Sequence, residues 1–144
     1  MRVVLDTNVW VSGLLWRGTP HRLLEALERR HIPIAVTAPL LDELRTVLQE
    51  AKFLPRLHQV RLTPDDILTV VLERTQLFPD RAVAGMPHVV EDPTDDRVLR
   101  CALISRAALL ITGDRHLLRL HQSGQSGTLT IVTPSSALAR LAHR

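Results

Sequence analysis

The chain has one cysteine, Cys101, one lysine, Lys52, and no tyrosine. A lone cysteine excludes an intramolecular disulfide and any zinc site built on a cysteine cluster. Aromatic residues make up 3% of the chain, too few for an extended platform on which nucleic-acid bases would stack. No run approaches the ~18 consecutive apolar residues of a membrane-crossing helix. The clearest run, residues 107–111, is strand-sized. Val3-Val4-Leu5 ahead of Asp6 is too short for the apolar core of a secretion signal. The expected setting is therefore soluble, reducing and cytoplasmic, with no membrane partner.

What is present points to a folded chain. Its 144 residues fit a single domain spanning 1–144, long enough to bury a core without a disulfide or structural metal. An apolar content of 45% argues against disorder. Seventeen of the 18 basic residues are arginine, whose planar head suits contacts to phosphate or carboxylate. Against 15 acids the net charge is +3, which permits a nucleic-acid partner without requiring one.

Strand-like and helix-like segments alternate along the chain. Val3–Leu5 reads as a buried strand and residues 9–15 as a helical or irregular packing stretch. Residues 21–30 place Leu23, Leu24 and Leu27 on one helical face. Residues 32–36 read as a second strand, with Pro33 near its start, and 39–50 as a helix turning Leu40, Leu41, Leu44, Val47 and Leu48 inward. A short helical segment and loop follow over 53–62. Thr63-Pro64-Asp65-Asp66 is a helix start, with a capping hydroxyl, a proline and two acids at the positive end of the dipole. That helix is expected to reach Leu77. Residues 79–87 read as loop, 88–90 as a marginal strand, and 91–96 as an acidic turn opening a helix to Ser105. Leu109–Ile111 reads as a buried strand ending in Thr112-Gly113-Asp114. A short helix, a flexible turn at 123–127, a strand at 129–132 and a last helix to Ala142 complete the chain. The alternation predicts a three-layer α/β/α sandwich, Rossmann-like, around a central, mainly parallel sheet of four or five strands.

The acids fall where such a sheet puts ligands. Asp6 and Asp114 each follow the carboxyl end of a predicted strand, and open parallel sheets bind ligands outside those ends. Glu43 lies early in the helix after the second strand, so it starts from the same rim. Asp92, Asp95 and Asp96 open the helix ahead of the Leu109 strand. Crowded carboxylates raise one another's pKa, and a cation relieves the repulsion. Oxygen donors without a convergent His/Cys set suit Mg²⁺ or Mn²⁺ rather than zinc. Such ions activate water and steady developing charge in phosphoryl transfer. Each acid alone has an ordinary reading as a cap, a turn residue, a helix-terminal charge or a solvated position. The joint pattern carries the inference.

Leu5-Asp6-Thr7-Asn8-Val9, Glu43, Asp92-Pro93-Thr94-Asp95-Asp96 and Ile111-Thr112-Gly113-Asp114 together resemble the PIN-domain family over essentially the whole chain. The resemblance is to its branch of toxin components of bacterial toxin–antitoxin systems. It implies a Mg²⁺- or Mn²⁺-dependent endoribonuclease, with RNA as substrate, a cognate antitoxin protein as partner, and a homodimer. It also implies that Asp6, Glu43, Asp96 and Asp114 are catalytic. Asp6, Asp96 and Asp114 would hold metal, with Glu43 and Asp95 as further candidate ligands. Asp95 and Asp96 are adjacent, so either could be the principal ligand of that pair. Asn8 and Thr112 would orient carboxylates by hydrogen bonds. Arg17, Arg115 and Arg119 would hold the RNA strand.

Other residues are read more plainly. His116 is taken as an exposed helix residue, Trp10 and Trp16 as core or interface residues, and Cys101 as a small buried one. Ser12 is a candidate polar group near the first loop. Two rival functions are a non-catalytic PIN-like RNA-binding or scaffold module and a phosphatase with Asp6 as nucleophile. The second wants an aspartate two residues on, where this chain has Asn8. If Asp6, Glu43, Asp95, Asp96 and Asp114 share one pocket, 18 bases face 10 remaining acids, a balance of +8 elsewhere. That division suits a cation-filled site acting on a polyanion.

Overall fold

Five three-residue strands pair into one sheet in a computed structural model that describes residues 1–86, 93–122 and 127–143, the side chain of Thr94 excepted. They are β1 (Val3–Leu5), β2 (Ile34–Val36), β3 (Thr75–Leu77), β4 (Leu109–Ile111) and β5 (Thr130–Val132). The spatial order is β3-β2-β1-β4-β5, and every neighbouring pair is parallel. The sheet is thus of five strands and wholly parallel. Parallel strands need crossovers on the faces of the sheet, and helices supply them. These are α1 (Thr7–Leu15), α2 (Thr19–Arg29), α3 (Ala38–Leu48), α4 (Leu54–Val60), α5 (Pro64–Arg74), α6 (Pro93–Ile104), α7 (Arg115–Gln122) and α8 (Pro134–Ala142). A single 3₁₀ turn, Ala51–Phe53, precedes α4.

Alternation along each strand divides the core in two. Val3, Leu5, Leu109 and Ile111 face a cluster with apolar residues of α1, α2, α3, α4, α5 and α8. Val4, Ala35, Leu110 and Ile131 face the other cluster, filled by Val98, Leu99 and Ala102 of α6 and by Leu117 and Leu120 of α7. Successive strand residues point to opposite faces, so three apolar residues in a row serve both layers. Trp10 and Cys101 are both buried in these layers. Burial pushes the Cys101 thiol up to about 12, so it behaves as a small apolar residue.

Local signals set most boundaries. Thr63 and Asp66 form a reciprocal cap at the start of α5: the Asp66 amide donates to Thr63 Oγ1 at 3.1 Å and the Thr63 amide to Asp66 Oδ2 at 2.8 Å. Thr133 Oγ1 likewise accepts from the Ser136 amide and starts α8. Gly13 lets α1 meet α2 closely, since a Cβ there would stand 2.5 Å from Leu24 Cδ1.

One element departs from the sequence reading. The expected helix to Leu77 stops at Arg74, and Thr75–Leu77 turns directly into edge strand β3, in register with Ile34–Val36. The Phe78 amide extends the pairing to Val36 O at 2.8 Å. The Arg2 guanidinium lies 4.8 Å from the centre of the Phe78 ring and its Nε donates to Gln76, which covers this edge. The marginal strand at 88–90, Asp92 and most of the 123–127 turn lie outside the described residues. Among the described residues no helix is long and apolar enough to cross a membrane.

Candidate active site

Strand order decides where the site lies. From β1 the chain runs outward to β2 and β3, then returns to the other side of β1 as β4 and β5. The order therefore reverses between β1 and β4, and the crevice outside the carboxyl ends at such a reversal is the ligand position of open α/β sheets. Asp6 directly follows β1, and Thr112-Gly113-Asp114 directly follows β4. The Asp6 amide continues the β1–β4 ladder by donating to Ile111 O at 3.0 Å.

One hydroxyl joins the two acids. Thr112 Oγ1 donates to Asp6 Oδ2 at 2.6 Å and accepts from the Asp114 amide at 3.0 Å. Thr112 is fully buried, so its orientation is fixed by these two bonds. Asp6 also caps α1, its Oδ1 accepting from the Thr7 amide at 2.7 Å. Asp114 caps α7 in the same way, its Oδ1 accepting from the His116 and Leu117 amides at 2.8 and 3.2 Å. Both carboxylates thus stand at the positive ends of helices, where negative charge is favoured.

Burial works against that charge. Asp6 is only 6% exposed. Its carboxyl is held above the ordinary value of 3.8, chiefly because burial penalises the ionised form. The bonds from Thr112 and the Thr7 amide pull it down, and the charges of Asp114 and Glu43 push it up again. Glu43 therefore acts on Asp6 although it stands on α3, beyond β2. A buried acid pressed by two further acids is a place where a cation lowers the energy. The carboxylate oxygens are hard donors of the kind Mg²⁺ and Mn²⁺ take. Asp6 retains lone pairs beyond its two bonds, and Asp114 Oδ2 makes no bond among the described residues. The donors fit such an ion in kind; among the described residues no three acidic, His or Cys groups stand close enough to hold one as they are.

The other expected residues fall in several places. Asn8, exposed, lines a cleft of about 490 Å³ with Asp6, Gly113, Asp114, Arg115 and His116. His116 is thus a wall of the cleft rather than a remote surface residue. Arg119 is exposed one turn further along α7. Arg17 lies past the far end of α1, about 15 Å from Asp6 at ~1.5 Å per helical residue. Trp16, beside it, is 42% exposed and packs its ring 6.1 Å from that of Phe53. Ser12 is half-buried within α1, beyond the cleft lining. Asp95 is buried on the same face of α6 as Val98, Leu99 and Ala102, at 2% exposure, whereas Asp96 is half-exposed and acts on Arg100.

Two arginines absent from the sequence reading anchor α6. Arg97 Nη1 donates to Glu43 Oε2 at 3.0 Å, tying α6 to α3 beside the site. Arg100 grips Asp80 with two bonds of 2.7 and 2.9 Å. Only a spacing of 54 positions joins Arg97 to Glu43, so no local pattern marks the pair.

Comparison with known proteins bears on the family and the fold. The family model described as the PIN domain matches residues 2–116. The fold is similar to that of VapBC2 from Rickettsia felis, solved bound to a DNA fragment from their promoter. That match has a TM-score of 0.60 and 16% identity, and covers 92% of this chain and 98% of that one. It is also similar to PAE2754 from Pyrobaculum aerophilum, with a TM-score of 0.63 and 18% identity, covering 99% of this chain and 90% of that one. No curated protein matches the chain.

Proposed function

The chain belongs to the PIN-domain family, and from that premise we infer that it is a metal-dependent endoribonuclease, the toxin of a toxin–antitoxin pair. The observation that carries this reading is the Thr112 hydroxyl bridging two acids from opposite sides of the sheet's reversal point. Asp6, Asp114, Glu43 and Asp95 would hold one or two Mg²⁺ or Mn²⁺ ions. Asp95 is preferred to Asp96 because it shares the buried face of α6. When bound, such an ion supplies Lewis acidity toward a phosphodiester and lowers the pKa of water.

The chain's own groups do the rest. Thr112 ties the Asp6 carboxylate to the backbone amide of Asp114, which fixes the two residues relative to each other, so little reorganisation is needed when charge develops. The Thr7 amide and the α7 amides hold the two carboxylates in place from the other side. Glu43 is nearly covered, with a side chain 14% exposed, and its charge reaches Asp6. It is suited to orient the attacking water. Arg115 and His116 on the cleft wall face the substrate backbone, with Arg119 beyond them.

The partner is an antitoxin protein, a reading supported by the likeness in fold to VapBC2. A homodimer and a cytoplasmic setting complete the proposal. The test is incubation with total cellular RNA, with and without Mn²⁺, followed by mapping of new ends. New ends that need both metal and Asp6 are expected. Their absence, in a folded protein supplied with metal, refutes the assignment.

A further inference from the structure

We propose that Arg97 bridges Glu43 and a backbone phosphate, anchoring the RNA strand on the α3 side of the acidic site. This rests on the ribonuclease reading and adds a residue to it. The pair is layered: the Glu43 side chain is 14% exposed and that of Arg97 45%, so the guanidinium lies over the carboxylate. Nη1 carries the bond to Glu43, and Nε and Nη2 donate to nothing among the described residues. A guanidinium has five N–H groups in a plane, so one edge can hold a carboxylate while the other receives a phosphate oxygen.

The surroundings call for such a bridge. Arg97 lines a cleft of about 470 Å³ with Pro39, Asp42, Glu43 and Thr46, and it is the only base among these against two acids. A polyanion entering there meets repulsion from Asp42 and Glu43 unless Arg97 receives it. On the other flank Arg115 occupies the corresponding place in the cleft of Asp6 and Asp114. Asp6 lines the Arg115 cleft, Glu43 lines the Arg97 cleft, and the charge of Glu43 reaches Asp6, so the two clefts flank one group of acids. A strand crossing the site would then be held at a phosphate on each side of the acids.

The test measures binding without cleavage. A fluorescein-labelled single-stranded RNA of about 20 nucleotides is titrated in EDTA, by anisotropy, at several KCl concentrations. Arg97→Ala is expected to weaken binding roughly five- to tenfold. It should also reduce the slope of log K against log salt by about 0.7, the value for one phosphate contact on a single strand. Arg97→Gln, which can still hydrogen-bond Glu43, should lose the same slope, and Arg97→Lys should regain it. Arg140→Ala removes an equal charge from the far end of α8 and should leave the slope at the wild-type value. Folding is checked by thermal melting, which a loss of phosphate contact does not change. A wild-type slope in both Arg97→Ala and Arg97→Gln overturns the proposal while leaving the ribonuclease reading in place. A wild-type protein that neither binds RNA in a salt-dependent way nor cuts it overturns both.

Discussion

Replacing Asp6 by asparagine should make the metal-free protein more stable at neutral pH and abolish metal-dependent activity. The Asp6 carboxyl is raised above 3.8 in the folded chain, first by burial and then, against the Thr112 and Thr7 bonds, by Asp114 and Glu43. A raised folded value means the native state holds this proton more tightly than the unfolded chain does. The stability it contributes is full below about 3.8 and is lost as pH climbs from there through the raised value. At pH 7 the ionised carboxylate costs about 1.4 kcal/mol for every factor of ten by which the folded chain binds that proton more tightly. Asparagine has nearly the same shape and no charge. Its Oδ1 can accept from the Thr7 amide, and its Nδ2 can donate to Thr112 Oγ1. In a chain of this size 1 kcal/mol moves Tm by roughly 3 °C. Melting followed by circular dichroism in EDTA should place Asp6→Asn above wild type at pH 7, by roughly 4 °C for each such factor of ten, with the two converging near pH 4. Mn²⁺ at a hundred times its Kd should raise wild type by about 2.7 kcal/mol, roughly 8 °C, and the variant far less. A variant that melts below wild type at pH 7 without metal, or a gap that does not change between pH 4 and 7, refutes this account of the site.

Two further substitutions probe the same centre. Thr112→Val keeps the branched shape and deletes the hydroxyl bonded to Asp6 and Asp114. A lost hydrogen bond to a charged group costs about 1.5–3 kcal/mol, so Tm should fall roughly 4–9 °C, with RNA cleavage down ~10- to 100-fold. Unchanged cleavage would remove Thr112 from the machinery. Asp95→Asn should abolish Mn²⁺ binding measured by calorimetry, while Asp96→Asn, on the half-exposed shoulder of α6, should retain most of it. The reverse result would make Asp96 the ligand.

The parts of the fold legible in sequence are those whose reason is local. Val3–Leu5 and Leu109–Ile111 are wholly apolar and end in polar residues, which is what a strand covered on both faces must look like. The Thr63 cap is readable because its two reciprocal bonds lie within four residues. Strand β3 has no such mark. Its residues are half-buried to exposed, and no turn residue separates it from α5. It exists because β2 offers an edge, a fact about the sheet rather than about Thr75-Gln76-Leu77. The same distinction runs through the site. Asp6, Thr112 and Asp114 could be placed because they terminate strands. Arg97 could not, since its partner lies 54 positions away and the pair forms only where α3 meets α6. Asp95 and Asp96 fall between these cases. The helical period puts Val98, Leu99 and Ala102 three, four and seven residues after Asp95, on its face. Counting from Asp96 instead gives two, three and six, a poorer fit to 3.6 residues per turn. The inward acid was therefore readable from spacing, provided the count began one residue earlier, and the 2% exposure of Asp95 follows from that geometry.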